Sequence, residues 1–267
     1  MSPLRHTLLH FDTATALAGA AAKRWLELLR FRRSLERDGE PADPLGEGLT
    51  ADAVVPLLLP PGRPFCVALS GGRIARAFYE ALVQQTGAGK GLWSGVEFFF
   101  ADERWVSLDH PDSNYRLARE LLFDPLDIPT AHRHPLAGGP DREFMAAQSQ
   151  AELLHRAPMS VDGQPILDLV ILGMGEDGHV ASLFPGAATE VLESRKVFLP
   201  VNGPKPPPER LTLTYSVLAD AREVWVLISG AGKREALRES LQPNGTTPLA
   251  RVLRGRDRTV LFSDVAP

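Results

Sequence analysis

Five short apolar runs punctuate the chain, and each ends in a cluster of glycine and polar residues. PFCVAL at 64–69 runs into Ser70-Gly71-Gly72, and VEFFF at 96–100 runs into Ala-Asp-Glu-Arg. ILDLVIL at 166–172 meets Gly-Met-Gly-Glu-Asp-Gly-His, EVWVLI at 223–228 meets Ser-Gly-Ala-Gly-Lys, and TVLF at 259–262 meets Ser-Asp. A strand with one wet face alternates apolar and polar positions. These near-continuous runs of β-branched and aromatic residues instead predict strands buried on both faces of a parallel sheet. Between them, helical spacing of apolar residues predicts helices over 74–85, 114–122, 142–156 and 232–241. Upstream, Leu17, Trp25, Leu28 and Leu29 mark one face of a helix over 13–33. Strands alternating with helices give an α/β fold: an open, mainly parallel, Rossmann-like sheet with helices on both faces. A single domain over 1–267 is expected.

After the first helix, SLERDGEPADPLGEGLT is polar and carries Gly and Pro. It predicts a surface insertion at about 31–61, because the segment before it is too small to build its own core. Lys plus Arg number 29 and Asp plus Glu 33, a formal net charge of −4, which argues against a nucleic-acid partner. The one cysteine, Cys66, lies in an apolar run and is expected to be a buried core residue in a reducing compartment. No apolar run approaches the ~18–20 residues of a membrane helix, and no secretory leader pattern opens the chain. The expectation is a soluble cytoplasmic protein with no membrane partner.

Candidate chemistry gathers where an open parallel sheet binds ligands, outside the carboxyl ends of its strands. Ser70-Gly71-Gly72 follows a strand and opens a helix, so free backbone N–H groups there can cradle a phosphate, with Arg73 adding charge. It is not a Walker A loop. Arg104, directly after FFFADE, can grip a phosphate in a two-pronged fork. The stretch 173–179 matches GxGxxG after a strand, but Pro185-Gly186 would end any long helix, so the dinucleotide reading is set aside. His179 is instead read as a general base, oriented by Asp177, with Gly173 and Gly175 offering backbone N–H groups at the strand end. Lys233 can act as a point charge on phosphate, and Arg210 in PPPERLTLT faces the same edge. GxSxG, HExxH, CxxC and carboxylate-rich calcium loops are absent. His132-Arg133-His134, beside Pro135, is read as an exposed loop rather than a metal pair. The Lys-Pro-Pro-Pro run at 205–208 is read as a stiff connection.

GMGEDGHVASLFPG at 173–186, preceded by DLVIL, resembles the signature of the 6-phosphogluconolactonases. FFFADERWVSLDHPDSNYRLARELLF at 98–123 resembles that family's second block, and LSGG, PERLTLTYSVL and VWVLISGAGK are similar to the others. The resemblance runs from about Phe65 to the C-terminus. It implies a single-domain α/β fold and hydrolysis of 6-phospho-D-glucono-1,5-lactone to 6-phosphogluconate in the oxidative pentose phosphate pathway. It also implies no metal or organic cofactor, with His179 activating water. Ser70, Gly71, Gly72, Arg104 and Lys233 would surround the phosphorylated end. Two positions depart from the pattern. Arg73-Ile74-Ala75 stands where a hydroxyl residue and Thr-Pro are common, leaving Arg73 to replace the hydroxyl or point away. Tyr215 replaces a smaller residue. A related family of amino-sugar-phosphate isomerases and deaminases is the first alternative, with Asp102 as the base. Those enzymes resemble GHIAFNEPG and Asp-Glu-Tyr, where this chain reads GHVASLFPG and Asp102-Glu103-Arg104. A non-catalytic sugar-phosphate sensor is the second, but no basic helix-turn-helix pattern precedes Phe65.

Overall fold

The computed structural model describes residues 6–38, 63–87, 89–137 and 139–267. The main sheet contains β1 (His6–His10), β2 (Phe65–Leu69), β3 (Val96–Phe100), β5 (Leu169–Gly173), β8 (Glu223–Ile228) and β9 (Thr259–Ser263). Its order is β1-β9-β8-β5-β2-β3, and every neighbouring pair is parallel. β2, β3, β8 and β9 are buried at every position, as expected of near-continuous apolar runs. A second, antiparallel sheet of β4 (Asp102–Arg104), β7 (Glu209–Leu213) and β6 (Phe198–Asn202) sits beside it. The α/β sheet expected from the sequence is therefore present, with this small sheet added.

Helix α1 is Ala14–Asp38 and α2 is Arg73–Thr86. α3 is Asn114–Ala118, extended by a π turn over Arg119–Phe123, and α4 is Arg142–Arg156. The short α5 is Thr189–Leu192, α6 is Tyr215–Asp220, α7 is Arg234–Ser240 and α8 is Pro248–Arg254. α1 and α2 pack together over one face, where Trp25 stacks on Phe78 at 6.0 Å and meets Trp93 edge-on at 5.2 Å. α6 and α8 pack against each other. Among the described residues, no helix is long and apolar enough to cross a membrane.

Three local expectations differ from the structure. α1 runs past residue 33, because Glu36 pairs with both Arg32 and Arg33 at 2.9 Å and so holds SLERD in the helix. Residues 31–38 are thus helical, and the remainder of the expected insertion lies outside the described residues. β5 begins at Leu169 rather than 166, because Asp168 serves as a buried anchor. Its fully buried carboxylate accepts the Cys66 N–H at 2.9 Å and pairs with Arg63 at 2.6 Å and Arg222 at 3.2 Å. Cys66 is itself fully buried, and that burial pushes its thiol up to about 12, which leaves it unreactive at neutral pH.

The third difference concerns His132-Arg133-His134, which is docked rather than an exposed loop. His132 Nδ1 and His134 Nε2 lie 2.9 and 2.6 Å from the two oxygens of Glu97, and His134 stacks on Phe99 at 4.4 Å. Arg156 of α4 adds a contact at 3.3 Å. Burial acts to raise the Glu97 carboxyl, but the two histidine hydrogen bonds and their charges prevail and hold it at about 2, against 4.5 ordinarily. A carboxyl with a depressed folded value stabilises the fold above its unfolded value, and that contribution is lost as pH falls through the folded one. Between pH 5 and pH 2 the protein should therefore lose on the order of 2 kcal/mol through this cluster. Denaturant titrations at both pH values should show a clearly smaller loss for Glu97→Gln.

The sheet order also fixes where a ligand enters. From β2 the chain crosses to β3 on one side, and from β5 it crosses to β8 on the other. The reversal leaves a crevice between β2 and β5 at their carboxyl ends. Pairing of those strands stops at Ala68↔Val170, so they part just before the turns that carry the candidate chemistry.

Candidate active site

A cavity of about 470 Å³ occupies this crevice. β2 delivers Ser70, Gly71, Gly72 and Arg73, β4 delivers Arg104, and β5 delivers Gly173, Gly175 and His179. Arg210 enters from β7 and Lys233 from the turn after β8. Every site residue singled out in the sequence, apart from Asp177, lines this one cavity. Asp177 lies behind the His179 ring, toward a shallower depression on the α7 side. Among the described residues, no group of three or more His, Cys, Asp or Glu side chains is placed to hold a metal ion.

The imidazole end is built by one tight loop. His179 Nδ1 lies 2.5 Å from Asp177 Oδ1, and the same oxygen accepts the His179 N–H at 3.2 Å. Partial burial would raise the Asp177 carboxyl, but the histidine's hydrogen bonds and charge outweigh it and hold the carboxyl below its usual range. An ionised carboxylate only accepts, so in the neutral imidazole this contact places the proton on Nδ1 and leaves the Nε2 lone pair to accept one. Gly175 makes this loop possible, since a Cβ there would stand 2.0 Å from His179 Nδ1. Gly175 also donates its N–H to the His179 carbonyl at 2.8 Å, so the backbone donor expected from the sequence at this position is already engaged. The Leu249 N–H reaches the Gly178 carbonyl at 3.1 Å and ties the loop to α8.

The same cavity is rich in cations. Arg73, Arg104, Lys205, Arg210 and Lys233 line the cavity, against the carboxylates of Asp102 and Glu176. α2 starts at Arg73 with no side-chain cap, so its first N–H groups are unclaimed by a capping residue at the cavity wall. Ser70 is buried, and its Oγ has no partner among the described residues. Arg104 donates Nη1 to the Asp112 carbonyl at 2.7 Å, while its buried Nε has no partner among the described residues. Lys233 Nζ donates to the Met174 carbonyl at 2.6 Å. Burial lowers the Lys233 pKa; Glu176 opposes that shift, whereas Arg73 and Lys205 reinforce it.

Behind the cations, a buried polar network fixes β4. Asp102 accepts from Ser182 Oγ at 2.6 Å and from Asn114 Nδ2 at 3.3 Å. Asn114 in turn fills the space at Gly71, where a Cβ would lie 1.8 Å from its Oδ1. Glu103 receives the N–H groups of Arg104, Asn114 and Tyr115, each at 2.8 Å. Burial pushes its carboxyl up to about 7 against those donors. Sequence reasoning missed Asn114 and Lys205 as cavity residues. The Lys205 signal was present, a cation five positions before Arg210, but the prolines between them pointed to a mere connection.

A family model described as "Glucosamine-6-phosphate isomerases/6-phosphogluconolactonase" matches residues 58–261. The chain belongs to this family. It is 39% identical over 178 residues to a 6-phosphogluconolactonase of Synechocystis, covering 66% of this chain and 71% of that protein. It is 35% identical over 217 residues to a 6-phosphogluconolactonase of Mycobacterium tuberculosis, covering 71% and 86%. Among solved structures, the 6-phosphogluconolactonase from Trypanosoma brucei has a TM-score of 0.76 at 26% identity, covering 97% of this chain and 96% of that one. A monomeric glucosamine-6-phosphate deaminase shares the fold, with a TM-score of 0.68 at 18% identity, covering 96% and 97%.

Proposed function

We propose that this family member is a 6-phosphogluconolactonase of the oxidative pentose phosphate pathway, opening 6-phospho-D-glucono-1,5-lactone to 6-phosphogluconate. The observation that carries this reading is the Asp177–His179 pair, whose imidazole shares one cavity with Arg73, Arg104, Lys205, Arg210 and Lys233. A lactone is an activated ester, so water can attack it directly once a base takes the proton. His179 Nε2 accepts that proton as the oxygen adds to the lactone carbonyl, and Asp177 steadies the imidazolium that forms. The tetrahedral intermediate then collapses. Its ring oxygen leaves and takes the proton back from the imidazolium, giving the free hydroxyl and the carboxylic acid, which ionises in water.

Arg104, Arg73 and Lys233, with the uncapped start of α2 at Ser70, Gly71 and Gly72, hold the phosphate and so set the carbonyl over the base. The Gly175 N–H is engaged by the His179 carbonyl and so is not free to meet the lactone carbonyl oxygen. The isomerase alternative needs Asp102 to move a proton between carbons, but that carboxylate is held by Ser182 and Asn114. Side-by-side assays separate the readings. Freshly generated 6-phosphogluconolactone should disappear well above its spontaneous rate, and glucosamine 6-phosphate should release no ammonia. The reverse pattern would support the isomerase reading, and tight binding without either turnover would support a sensor.

A further inference from the structure

The connection between β6 and β7, residues 203–208, forms a closed strap that brings Lys205 to the cavity. The Gly203 N–H meets the Pro208 carbonyl at 2.7 Å and closes its base. Arg142 of α4 holds its entry, donating to the Val201 carbonyl at 3.0 Å and to Asn202 Oδ1 at 2.9 Å. From inside, buried Arg210 donates Nε to the Pro207 carbonyl at 3.1 Å and Nη2 to the Lys205 carbonyl at 3.2 Å. Its guanidinium also lies over the Phe184 ring at 5.5 Å, and that ring stands 4.8 Å from His179.

Arg210 therefore differs from its cross-strand neighbour Arg104. Arg104 keeps a buried Nε without a partner among the described residues, whereas two of the Arg210 nitrogens are committed to strap carbonyls. Lys205, at the head of the strap, is exposed and lines the cavity. Its charge is felt by Lys233 across that space. We propose that Lys205 is a phosphate-binding residue of this site, and that Arg210 is a positioning residue which acts through the strap rather than on the substrate. The proposal rests on the lactonase reading for the identity of the phosphate monoester. An arginine suits the positioning role because its planar fork spans two carbonyls at once, which an ammonium does not match.

The test is calorimetric binding of 6-phosphogluconate, which requires no turnover and so reads the strap even if lactone hydrolysis is not found. Lys205→Gln should weaken binding about tenfold, the size of one charge-assisted contact. Arg210→Lys keeps the charge but loses the two-carbonyl grip, and should weaken binding by a similar factor. In the double variant the two losses should not multiply, and it should bind within about twofold of Lys205→Gln, because the residues act as one unit. In the hydrolysis assay Lys205→Gln should raise KM with kcat within about threefold of wild type, as expected for a contact kept through the reaction. Affinity of Lys205→Gln within twofold of wild type overturns the proposal, and so does a double variant in which the single losses multiply. If Arg210→Lys does not fold, the Lys205→Gln affinity and its KM–kcat split decide alone.

Discussion

His179→Ala is expected to fold normally and to lose about 10³-fold in kcat for lactone hydrolysis, within the 10²–10⁴ range for a positioned general base. The fold should survive because the loop is held by its backbone: the Gly175 N–H on the His179 carbonyl, and the Leu249 N–H on the Gly178 carbonyl. The side chain itself contacts Asp177 and the Phe184 ring, and neither depends on it for burial in the core. Binding of 6-phosphogluconate should change little, since the phosphate is expected to sit on the cations of the cavity rather than on the imidazole. Steady-state kinetics together with a melting curve check both halves. Turnover at the wild-type level in a folded His179→Ala protein would remove the imidazole from the chemistry.

Gly175→Ala should come close to the same effect without replacing any reacting group. The new Cβ would fall 2.0 Å from His179 Nδ1 and 2.5 Å from Asp177 Oδ1, where no carbon can sit. Either the ring swings out or the carboxylate does, and in both cases the pair comes apart. A misplacement of about 1 Å at a catalytic group can cost ~10²-fold, and kcat is expected to fall by at least that much. The cations of the cavity are untouched, so affinity for 6-phosphogluconate should stay within about threefold of wild type. Serine at this position carries the same Cβ and should fare no better. A Gly175→Ala enzyme with normal kcat would mean that the close Asp177–His179 approach is not needed for turnover.

Much of this site was legible because strand ends leave a strong trace in sequence. An unbroken apolar run cannot lie on a wet surface, so FCVAL, VEFFF and EVWVLI had to be interior strands, and the polar clusters behind them had to share one rim. The structure brings residues as distant as Ser70 and Lys233 to one cavity for that reason. Elements whose stability comes from tertiary partners left less trace. HTLLH is a short, half-exposed edge strand that pairs, among the described residues, with β9 alone, so no apolar run announced it. ERLTL and FLPVN pair with each other in a small antiparallel sheet, and their mixed composition gave no unbroken run. The histidines at 132 and 134 looked like loop residues because their partner, Glu97, lies inside the apolar run of β3, 35 positions before the first of them. Lys205 was hidden for a similar reason. What makes it part of the site is a guanidinium behind its strap, and no local pattern in a proline run reveals that.

The cations of the cavity also bear on substrate choice. Two or more charge-assisted contacts of about 1.5–3 kcal/mol each are available to a phosphate dianion, whereas an unphosphorylated sugar offers the cations only a neutral hydroxyl at that position. The sharpest measurement compares kcat/KM for fresh 6-phospho-D-glucono-1,5-lactone with that for D-glucono-1,5-lactone, each corrected for spontaneous opening. The phosphorylated lactone should be preferred by roughly 10²–10⁴-fold. Equal rates for the two lactones, or no rate above the spontaneous one for the phosphorylated lactone, would contradict a cavity that pairs an activated imidazole with phosphate-holding cations.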